Sequence, residues 1–422
     1  MRMDAFDELW VWNDAAVAGR LDWYRAVAGN RRPAKFRIAA GLPVAIDTET
    51  ASEEALWGVL DGALPGFLDA HAALRNGTGR TPLAAAGTSL LDVLAALAQR
   101  MLGHCNFCRW DCGVDRTLTA SKLGTCKLES GSRVSSYFHH QGEELIYRGR
   151  GGSGTIFFTS CNMRCAFCQN GDISTDKDNG RPVTPRVLAT MAWLLRHEGC
   201  HNINWVGGDP TIHLHTITAA IRRLGHGFTP ARSDLAAALP SKADGVPATA
   251  MNPDFAEIGG RFNAPMLWNS NFYMSAEAMR ILRPLMDVWL PDFKFGPGRC
   301  AIHLARTPRY WQTVTDNLKL LETWGEDLTI RHLVMPDHIE CCTYPILEWI
   351  AENMPTAPVN IMDQYRPDMA AHPAHPDYRD KYEDIARRPD TREIRAAYDY
   401  AEDLGLAWKT VTTEKTTMGL GA

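Results

Sequence analysis

Three closely spaced cysteines, Cys161, Cys165 and Cys168, constrain this chain more than any other feature of its sequence. Their spacing brings three thiolates around one loop, where they can bind a single metal centre. Each iron of a [4Fe-4S] cluster needs one ligand from outside the cubane, usually a cysteine thiolate. Three cysteines therefore leave one iron open to a substrate or cofactor. The competing interpretation is zinc or an ordinary electron-transfer cluster completed by a distant cysteine, although structural zinc sites usually present their cysteines in pairs.

The residues before these cysteines predict where the loop lies. Residues 155–160 are rich in β-branched and aromatic side chains, and they follow the turn-forming sequence Gly-Gly-Ser-Gly at 151–154. A strand is therefore expected to deliver the cysteine loop at its carboxyl end, which is where barrel enzymes place their active sites.

A second cysteine-rich segment comes earlier in the chain and contains Cys105, Cys108, Cys112 and Cys126. Four cysteines can supply every outside ligand of an auxiliary [4Fe-4S] cluster. They can equally supply the four ligands of a zinc site. Both alternatives stay open from the sequence, and either one predicts a second metal site separate from the first.

Composition narrows the class of protein. The chain has 422 residues, more than one hydrophobic core usually supports, so a main domain with extensions is expected. Its apolar content of 45% and net charge of −5 indicate a globular protein for which nucleic acid is an unlikely partner. The N-terminus lacks the apolar region of a signal peptide, and no apolar run is long enough to span a membrane. Clustered cysteines favour reduced thiols, and we expect a cytoplasmic protein.

The first part of the chain predicts two units. Residues 1–102 are expected to form a helical extension, because apolar side chains recur at helical spacing in it. Residues 103–150 are expected to contain the four-cysteine segment and then a hairpin, with strands at 134–138 and 144–148. Glu143 and Glu144 could serve as a catalytic acid and base, but we expect them on the exposed face of that hairpin.

From Gly154 onward, predicted strands and helices alternate. The strands are expected at 155–160, 202–206, 264–271, 288–295, 328–336 and 359–367, and the helices at 185–197, 213–224, 275–286, 310–323, 345–353 and 391–404. Strands that are each followed by a helix predict an α/β fold with a parallel, barrel-like sheet. We expect this barrel to occupy residues 151–370 and to be followed by a C-terminal helix and tail, 371–422.

Residues 225–262 interrupt this alternation. The stretch is rich in proline and glycine and is too long for an ordinary connection of about 2 to 6 residues. One interpretation is a lid over the carboxyl ends of the strands, in which Asn252, Asp254 and Arg261 contact the substrate. The other is a surface insertion without a role in the site.

The cysteine loop resembles the C-x3-C-x-aromatic-C signature of the radical SAM superfamily, with Phe167 as the aromatic residue. Between about Cys105 and Leu406 the chain is similar to the group of radical SAM proteins that resemble pyruvate formate-lyase activating enzyme. The stretches that carry this likeness are 152–158, 161–170, 199–204, 291–295, 331–336 and 364–367. The resemblance implies a partial (β/α)6 barrel of the radical SAM type, with S-adenosylmethionine across the carboxyl ends of its strands.

The resemblance also implies which residues hold the cofactor. Gly207, Gly208 and Asp209 resemble the superfamily's GGEP turn, which contacts the methionyl amino group, with Asp in place of Glu. Three further groups match cofactor-binding positions in glycyl-radical activases: Asn269, Ser270 and Asn271; Asp292 and Lys294; and His332. Read from the residues alone, Lys294 and His332 could equally be an ion-pair partner and a core histidine.

The implied activity is reductive cleavage of S-adenosylmethionine at the open iron, which produces a 5′-deoxyadenosyl radical that abstracts hydrogen. The substrate is expected to be a small molecule or peptide, and the electron donor a protein such as flavodoxin or ferredoxin. One alternative is an activase that acts on a glycyl-radical partner protein. An alternative of another class is a non-catalytic iron-sulfur protein that transfers electrons.

Overall fold

The computed structural model describes residues 4–118, 122–238 and 251–412. Its helices are α1 (Asp4–Asp7), α2 (Ala15–Arg20), α3 (Asp22–Ala28), α4 (Lys35–Gly41), α5 (Glu53–Arg75), α6 (Leu90–Arg100), α7 (Leu145–Arg148), α8 (Gly171–Ser174), α9 (Pro185–His197), α10 (Leu214–Gly225), α11 (Arg232–Ala238), α12 (Pro253–Ala256), α13 (Ala276–Leu282), α14 (Cys300–Ala305), α15 (Tyr310–Trp324), α16 (Tyr344–Asn353), α17 (Thr391–Asp403) and α18 (Lys409–Thr412). Shorter 3-10 turns occur at Trp10–Asn13, Met101–His104, Pro210–His213, Met369–Ala371 and Asp380–Ile385, and a π-helical turn at Ile339–Thr343.

The strands are β1 (Ser132–His140), β2 (Ser153–Phe158), β3 (Arg181–Val183), β4 (Ile203–Gly207), β5 (Glu257–Ile258), β6 (Arg261–Phe262), β7 (Met266–Ser270), β8 (Val288–Pro291), β9 (Ile330–Leu333) and β10 (Val359–Met362). Strands β2, β4, β7 and β8 pair in that order and are all parallel. Two single parallel bridges, Trp289 to Leu328 and Asp292 to Arg331, then join the segments of β8 and β9, and β9 pairs in parallel with β10. The expected partial (β/α)6 barrel is therefore confirmed.

The edge of this sheet departs from the predicted hairpin. Strand β1 pairs antiparallel with both β2 and β3, but residues 145–148 form the helical turn α7 instead of a second hairpin strand. Ile146 and Tyr147 in that turn are completely buried. The predicted strand was wrong because these β-favouring side chains anchor a turn against the barrel, and tertiary packing overrides local propensity.

Glu143 and Glu144 were also predicted wrongly, since both are buried instead of exposed. The Asn360 side-chain amide donates to Glu144 Oε1 at 2.6 Å, from the second residue of β10. The Asn202 amide, just before β4, donates to the backbone oxygen of Tyr147 at 2.9 Å. Residues 143–148 therefore close the amino-terminal end of the barrel.

The helices of the N-terminal extension attach to the same end of the barrel. Trp23 Nε1 donates to Asp287 Oδ1 at 2.8 Å, directly before β8. The Tyr24 backbone N–H donates to Asp327 Oδ2 at 2.9 Å, shortly before β9. Apolar residues of α3 to α6 belong to the same hydrophobic core as the barrel helices. Among the helices that the structure describes, none combines the length and the apolar character needed to cross a membrane.

The lid interpretation of residues 225–262 fails for the part of this segment that the structure describes. Asn252 caps α12, and its N–H donates to His197 O at the end of α9. Arg261 donates to Gly225 O, and the backbone oxygen of Asp254 accepts from Asn30 in the extension. Because β6 leads directly into the start of β7, these residues lie at the amino-terminal ends of the strands. Residues 239–250, the centre of the predicted lid, lie outside the described residues.

The buried ion pair between Lys35 and Glu326 generates a prediction about stability. Their side chains are only 3% and 5% exposed, and Trp289 Nε1 also donates to Glu326. Lys35→Met leaves a buried carboxylate without its counter-charge, so we expect the free energy of unfolding to fall by about 3 to 5 kcal/mol in chemical denaturation. The double variant Lys35→Met, Glu326→Gln should recover part of this loss, because it removes the unpaired charge.

The exposed pair Lys409 and Glu402 provides the control for that measurement. Lys409→Met should change the unfolding midpoint little, since water solvates both partners. Equal losses in Lys35→Met and Lys409→Met would contradict the proposed role of the buried pair.

Candidate active site and metal centres

The loop that carries Cys161, Cys165 and Cys168 begins at the carboxyl end of β2, as the sequence predicts. Ser160, the residue before the first cysteine, has a left-handed backbone with φ of 65°. Its N–H donates to Ile173 O at 2.7 Å, and its hydroxyl donates to the backbone oxygen of Cys126. The chain therefore turns sharply off the strand, and contacts on two sides fix the turn.

Cys161 is the most buried of the three thiols and lies in a cradle of hydrogen-bond donors. The Met163 N–H approaches its Sγ at 3.3 Å, and the Asn271 side-chain amide at 3.6 Å. Burial raises the pKa of Cys161 well above its ordinary value, and the nearby charge of Asp209 adds to this effect. The thiol is therefore protonated until a metal displaces the proton.

Cys165 and Cys168 lie close enough to Cys161 to influence its pKa electrostatically, so the three thiols face one space. Burial raises the pKa of Cys165 to about 12, although the positive charge of Lys294 opposes the rise. Cys168 Sγ lies 3.2 Å from the Ser174 hydroxyl. A cation and a hydroxyl thus accompany the thiols, and such groups stabilise the negative charge that a metal-bound thiolate carries.

The four earlier cysteines also come together. The thiol of Cys112 donates to Cys105, and this bond and the Arg116 guanidinium lower the pKa of Cys105 to about 5. Burial raises the pKa of Cys108, and the nearby Cys126 and Cys105 raise it further. A positive charge beside four thiols that influence one another's pKa is an arrangement suited to binding a metal.

The two cysteine sets are in direct contact through backbone groups. The Trp110 indole N–H donates to Asn162 O at 2.6 Å, and Arg164 donates to Thr125 O. Together with the bond from Ser160 to Cys126, these contacts join each side of the four-cysteine segment to the three-cysteine loop. The four-cysteine segment therefore packs directly against the three-cysteine loop.

Gly207 and Gly208 allow the next strand end to approach this loop. Gly207 has φ of 136°, and a Cβ on it would lie 2.2 Å from Phe158 N. A Cβ on Gly208 would lie 1.6 Å from Ser160 O. The Gly208 N–H also donates a hydrogen bond to Phe158 O, at 2.8 Å. Only glycine fits at these positions, so the turn packs against the backbone that positions the cysteines.

Asp209 fastens this turn to the end of β7. Its Oδ2 accepts from the Ser270 hydroxyl at 2.9 Å and from the Asn271 N–H at 3.0 Å, while its Oδ1 accepts from Thr211 N–H at 2.9 Å. Burial raises the pKa of Asp209 above its ordinary value, and these bonds limit the rise. The predicted cofactor contact thus belongs to a carboxylate that already joins two strand ends.

Asn271 has a similar bridging position. Its side-chain amide donates to Asn162 Oδ1 at 2.7 Å, and its Oδ1 accepts from Tyr273 N–H at 3.0 Å. Asn162 in turn donates to Tyr273 O at 3.2 Å. These bonds tie the residue after Cys161 to the end of β7.

The interior of the barrel contains a network of charges centred on Arg331. Its guanidinium donates to Asp292 Oδ1 at 3.0 Å, to Glu143 Oε1 at 3.2 Å and to Asn269 Oδ1. Burial opposes the charged form of Arg331, but Asp292 and Glu143 outweigh it and raise the pKa further. Asn204 also donates to Glu143, at 2.7 Å. The sequence motif included Arg331, but nothing in the sequence indicated its partner Glu143, which comes from the closed end of the barrel.

Asp292 and Lys294 form the predicted pair at the end of β8, with Lys294 Nζ 2.6 Å from Asp292 Oδ2. Burial acts against both charges, yet the positive charges of Lys294 and Arg331 keep the pKa of Asp292 below its ordinary value. Asp292 likewise raises the pKa of Lys294. Lys294 is 18% exposed, and its charge reaches Cys165, so it remains available on the side of the thiols.

Phe167 and His332 are placed within the packed interior. The Phe167 ring packs against Phe295 and Tyr365, at centroid distances of 6.1 and 5.5 Å. His332 is completely buried, with its ring nitrogens 2.9 Å from Phe293 O and 2.9 Å from the Thr343 hydroxyl. Burial lowers the pKa of His332 to about 4, so its ring is neutral. It therefore acts as a core histidine that connects β9 to the π-helical turn.

Two clefts open near the two cysteine sets. The larger, of about 600 Å³, lies between the four-cysteine segment and α15 and is bordered by Cys108, Arg109 and Asn317. The smaller, of about 240 Å³, is bordered by Cys165 and Tyr382. The smaller cleft gives an approach from solvent to the three-cysteine loop.

A further group of metal-binding side chains was missed from the sequence. Cys300, His338, Cys341 and Cys342 bring one ligand atom each within 4.8 Å of one another. His338 followed by the adjacent Cys341 and Cys342 was a local signal of such a group. Cys300 could not be assigned to it from the sequence, because it lies far from the other three along the chain.

Comparisons with known proteins find related sequences. The family model for the radical SAM superfamily matches residues 155–341. The chain is 34% identical over 323 residues to an uncharacterized protein of Methanocaldococcus jannaschii, and the match covers 75% of this chain and 80% of that protein.

Solved structures give weaker matches. Streptococcus suis SuiB bound to the precursor peptide SuiA and SuiB bound to S-adenosylmethionine each match with a TM-score of 0.38 and 11% identity. These matches cover 59% and 58% of this chain, and the chain spans less than half of SuiB, 46% and 45%.

The close packing at Gly208 generates a prediction. Gly208→Ala should push the turn away from Ser160, so we expect the free energy of unfolding to fall by about 1 to 3 kcal/mol. Iron bound after anaerobic reconstitution should fall as well, because the same backbone positions Cys161. Gly62→Ala, at an exposed position of α5 with open space around it, is the matched control and should stabilise the helix by up to about 1 kcal/mol. Wild-type iron content and stability in Gly208→Ala would contradict this role of the glycine.

Proposed function

Because the chain belongs to the radical SAM superfamily of S-adenosylmethionine-dependent enzymes, we propose that it uses this chemistry on a small-molecule or peptide substrate. Cys161, Cys165 and Cys168 would hold a [4Fe-4S] cluster. Such a cluster would supply the electron for reductive cleavage of S-adenosylmethionine to methionine and a 5′-deoxyadenosyl radical, and that radical would take a hydrogen atom from the substrate.

The observation that carries the proposal is that the three-cysteine loop lacks a fourth cysteine to complete the ligands of a [4Fe-4S] cluster. The structure describes eleven cysteines. Four of them form the set around Cys105, three belong with His338, and Cys200 is buried just before the start of β4, at the opposite end of the barrel from the loop. The three thiols after β2 therefore have no further cysteine to complete a cubane, and their burial and mutual proximity suit a cluster with one open iron.

The residues around the loop fit a zwitterionic cofactor. Lys294 offers a positive charge beside Cys165, which suits a carboxylate. Asp209 offers a negative charge near Cys161, which suits an ammonium group. Each is held by bonds to a neighbouring strand end or side chain, so neither needs to reorganise when a ligand binds.

The closed end of the barrel supports a reaction that must exclude water. Residues 143–148 block the amino-terminal end, and Arg331 fixes Glu143 and Asp292 within the interior. Because these charges satisfy one another, the interior can remain polar without bulk solvent. A reactive radical at the carboxyl end would then be shielded from stray hydrogen donors on that side.

We further propose that Cys105, Cys108, Cys112 and Cys126 hold a second [4Fe-4S] cluster that passes electrons inward. Cys105, Cys108 and Cys126 all lie close enough to Cys112 to raise its pKa. The four thiols can therefore supply one outside ligand to each iron of a cubane. Flavodoxin or ferredoxin is the class of partner that would donate the electron.

The substitution of all three loop cysteines by alanine tests the proposal. This variant should fold but produce no 5′-deoxyadenosine from S-adenosylmethionine after reduction with dithionite, because it cannot bind the cluster. Cys200→Ala is the matched control and should retain production, since Cys200 belongs to no cysteine set. Turnover at the wild-type rate in the triple variant would refute the assignment.

Iron content tests the second cluster. The variant Cys105→Ala, Cys108→Ala, Cys112→Ala, Cys126→Ala should lose about four of about eight iron atoms per chain, as determined by elemental analysis. Its remaining cluster should still bind S-adenosylmethionine, measurable by calorimetry. Loss of about one zinc with iron unchanged would instead establish a four-cysteine zinc site.

Isotope transfer discriminates among the substrate alternatives. Deuterium should move from a labelled small molecule or peptide into 5′-deoxyadenosine if the substrate class is correct. Deuterium transfer from a glycine-labelled partner protein, with a stable glycyl radical in its electron paramagnetic resonance spectrum, would identify an activase. Absence of S-adenosylmethionine binding by the reconstituted chain would favour a non-catalytic electron-transfer protein.

A further inference from the structure

The four side chains around His338 come from two connections that follow neighbouring barrel strands. Cys300 is the first residue of α14, in the connection after β8. His338, Cys341 and Cys342 lie in and directly before the π-helical turn after β9. Such turns occur often at functional sites. A Cβ on Gly296 would lie 2.0 Å from Cys341 O, so a glycine permits the close contact between the two connections.

Four distances among these ligand atoms lie within about 0.5 Å of the values that one tetrahedral ion requires. Cys300 Sγ and Cys341 Sγ are 3.6 Å apart, and Cys341 Sγ and Cys342 Sγ are 3.8 Å apart. His338 Nδ1 lies 3.1 Å from Cys341 Sγ and 4.0 Å from Cys342 Sγ. Zinc–sulfur bonds of about 2.3 Å at tetrahedral angles require sulfur atoms about 3.8 Å apart, and the corresponding nitrogen–sulfur distance is about 3.6 Å.

A carboxylate completes the arrangement on the other side of the histidine. His338 Nε2 lies 3.2 Å from Asp384 Oδ2, in the 3-10 turn after β10. Histidines that bind metals through one nitrogen usually donate the other N–H to a carboxylate, which fixes the tautomer and the orientation of the ring. Nδ1 is therefore left as the ligand atom, and it is the nitrogen that faces the three thiols.

We propose that Cys300, His338, Cys341 and Cys342 bind one Zn²⁺ ion, with Asp384 as the residue that orients His338. Three thiolates and one imidazole form a closed set of the kind found in structural zinc sites. A cubane would place each ligand on a different iron, which does not suit atoms this close together. The ion would thereby join the connections that follow β8 and β9, and Asp384 would link the connection after β10 to them through His338.

The position of the site indicates what the ion holds in place. Helix α14 starts at Cys300, and its last turn accepts hydrogen bonds from the loop that carries the three cysteines. Arg164 N–H donates to Ala305 O at 3.1 Å, and Ala166 N–H donates to Leu304 O at 2.7 Å. Zinc at one end of α14 would therefore stabilise the contacts that this loop makes at the other end.

Elemental analysis of anaerobically purified full-length protein tests the proposal. The variant His338→Ala, Cys341→Ala should contain about one zinc fewer per chain than the wild type, with iron unchanged, while Cys200→Ala should keep both metals at wild-type levels. X-ray absorption spectra at the zinc edge of the wild type should show sulfur ligands about 2.3 Å and a nitrogen ligand about 2.0 Å from the zinc ion. Unchanged zinc, or a loss of about four iron atoms in its place, would refute a zinc site here.

A milder variant guards against misfolding. Asp384→Asn keeps all four ligands, so we expect the chain to fold and its zinc affinity to fall about 10-fold to 100-fold in competition with a chromophoric chelator. Asp380→Asn, at an exposed position of the same turn, is the matched control and should bind zinc as the wild type does. Equal affinities in the two variants would contradict the assignment, as would a disulfide between Cys300 and Cys341 in wild-type protein alkylated under denaturing conditions.

Discussion

Three thiols can share one cluster only if an irregular loop is held still, and the contacts that hold this loop come from its neighbours. The glycine turn after β4 packs against the backbone at Ser160, where no larger residue fits. Asp209 then joins that turn to the end of β7 through Ser270 and Asn271. Asn271 in turn bonds the loop at Asn162. The position of Cys161 thus depends on a closed circuit of hydrogen bonds that links three strand ends.

The polar interior of the barrel is stabilised by the pairing of opposite charges. Arg331 is 15% exposed and has two carboxylates and one amide as partners, while Lys294 pairs with one of those carboxylates. Charges buried in this way are tolerated because each has an opposite partner within hydrogen-bonding distance. The network joins the closed amino-terminal end, through Glu143, to the carboxyl-terminal end, through Asp292.

The sequence predicted those features of the structure that depend on local patterns of residues. Strands and helices of the barrel, such as α9 at Pro185–His197, follow from apolar periodicity and capping residues, and the two cysteine sets follow from spacing. Contacts between distant residues could not be read in the same way. Glu144 is buried because Asn360, far along the chain, supplies a donor. Cys300 gains its partners only when the barrel closes. The described part of residues 225–262 packs at the amino-terminal ends because Asn252 and Arg261 find partners there, which composition does not indicate.

The attachment of the N-terminal extension has a consequence for the order in which the chain is made. Trp23 and Tyr24 bond with Asp287 and Asp327, and Lys35 pairs with Glu326, across 264, 303 and 291 residues. The extension is synthesised long before β8 and β9. Until those strands follow, the apolar surface of its helices and the Lys35 side chain lack their native partners. Contacts between such distant residues slow folding, and they leave early segments exposed to aggregation. The extension can therefore complete these contacts only after most of the barrel has been synthesised, although it precedes the barrel in the chain.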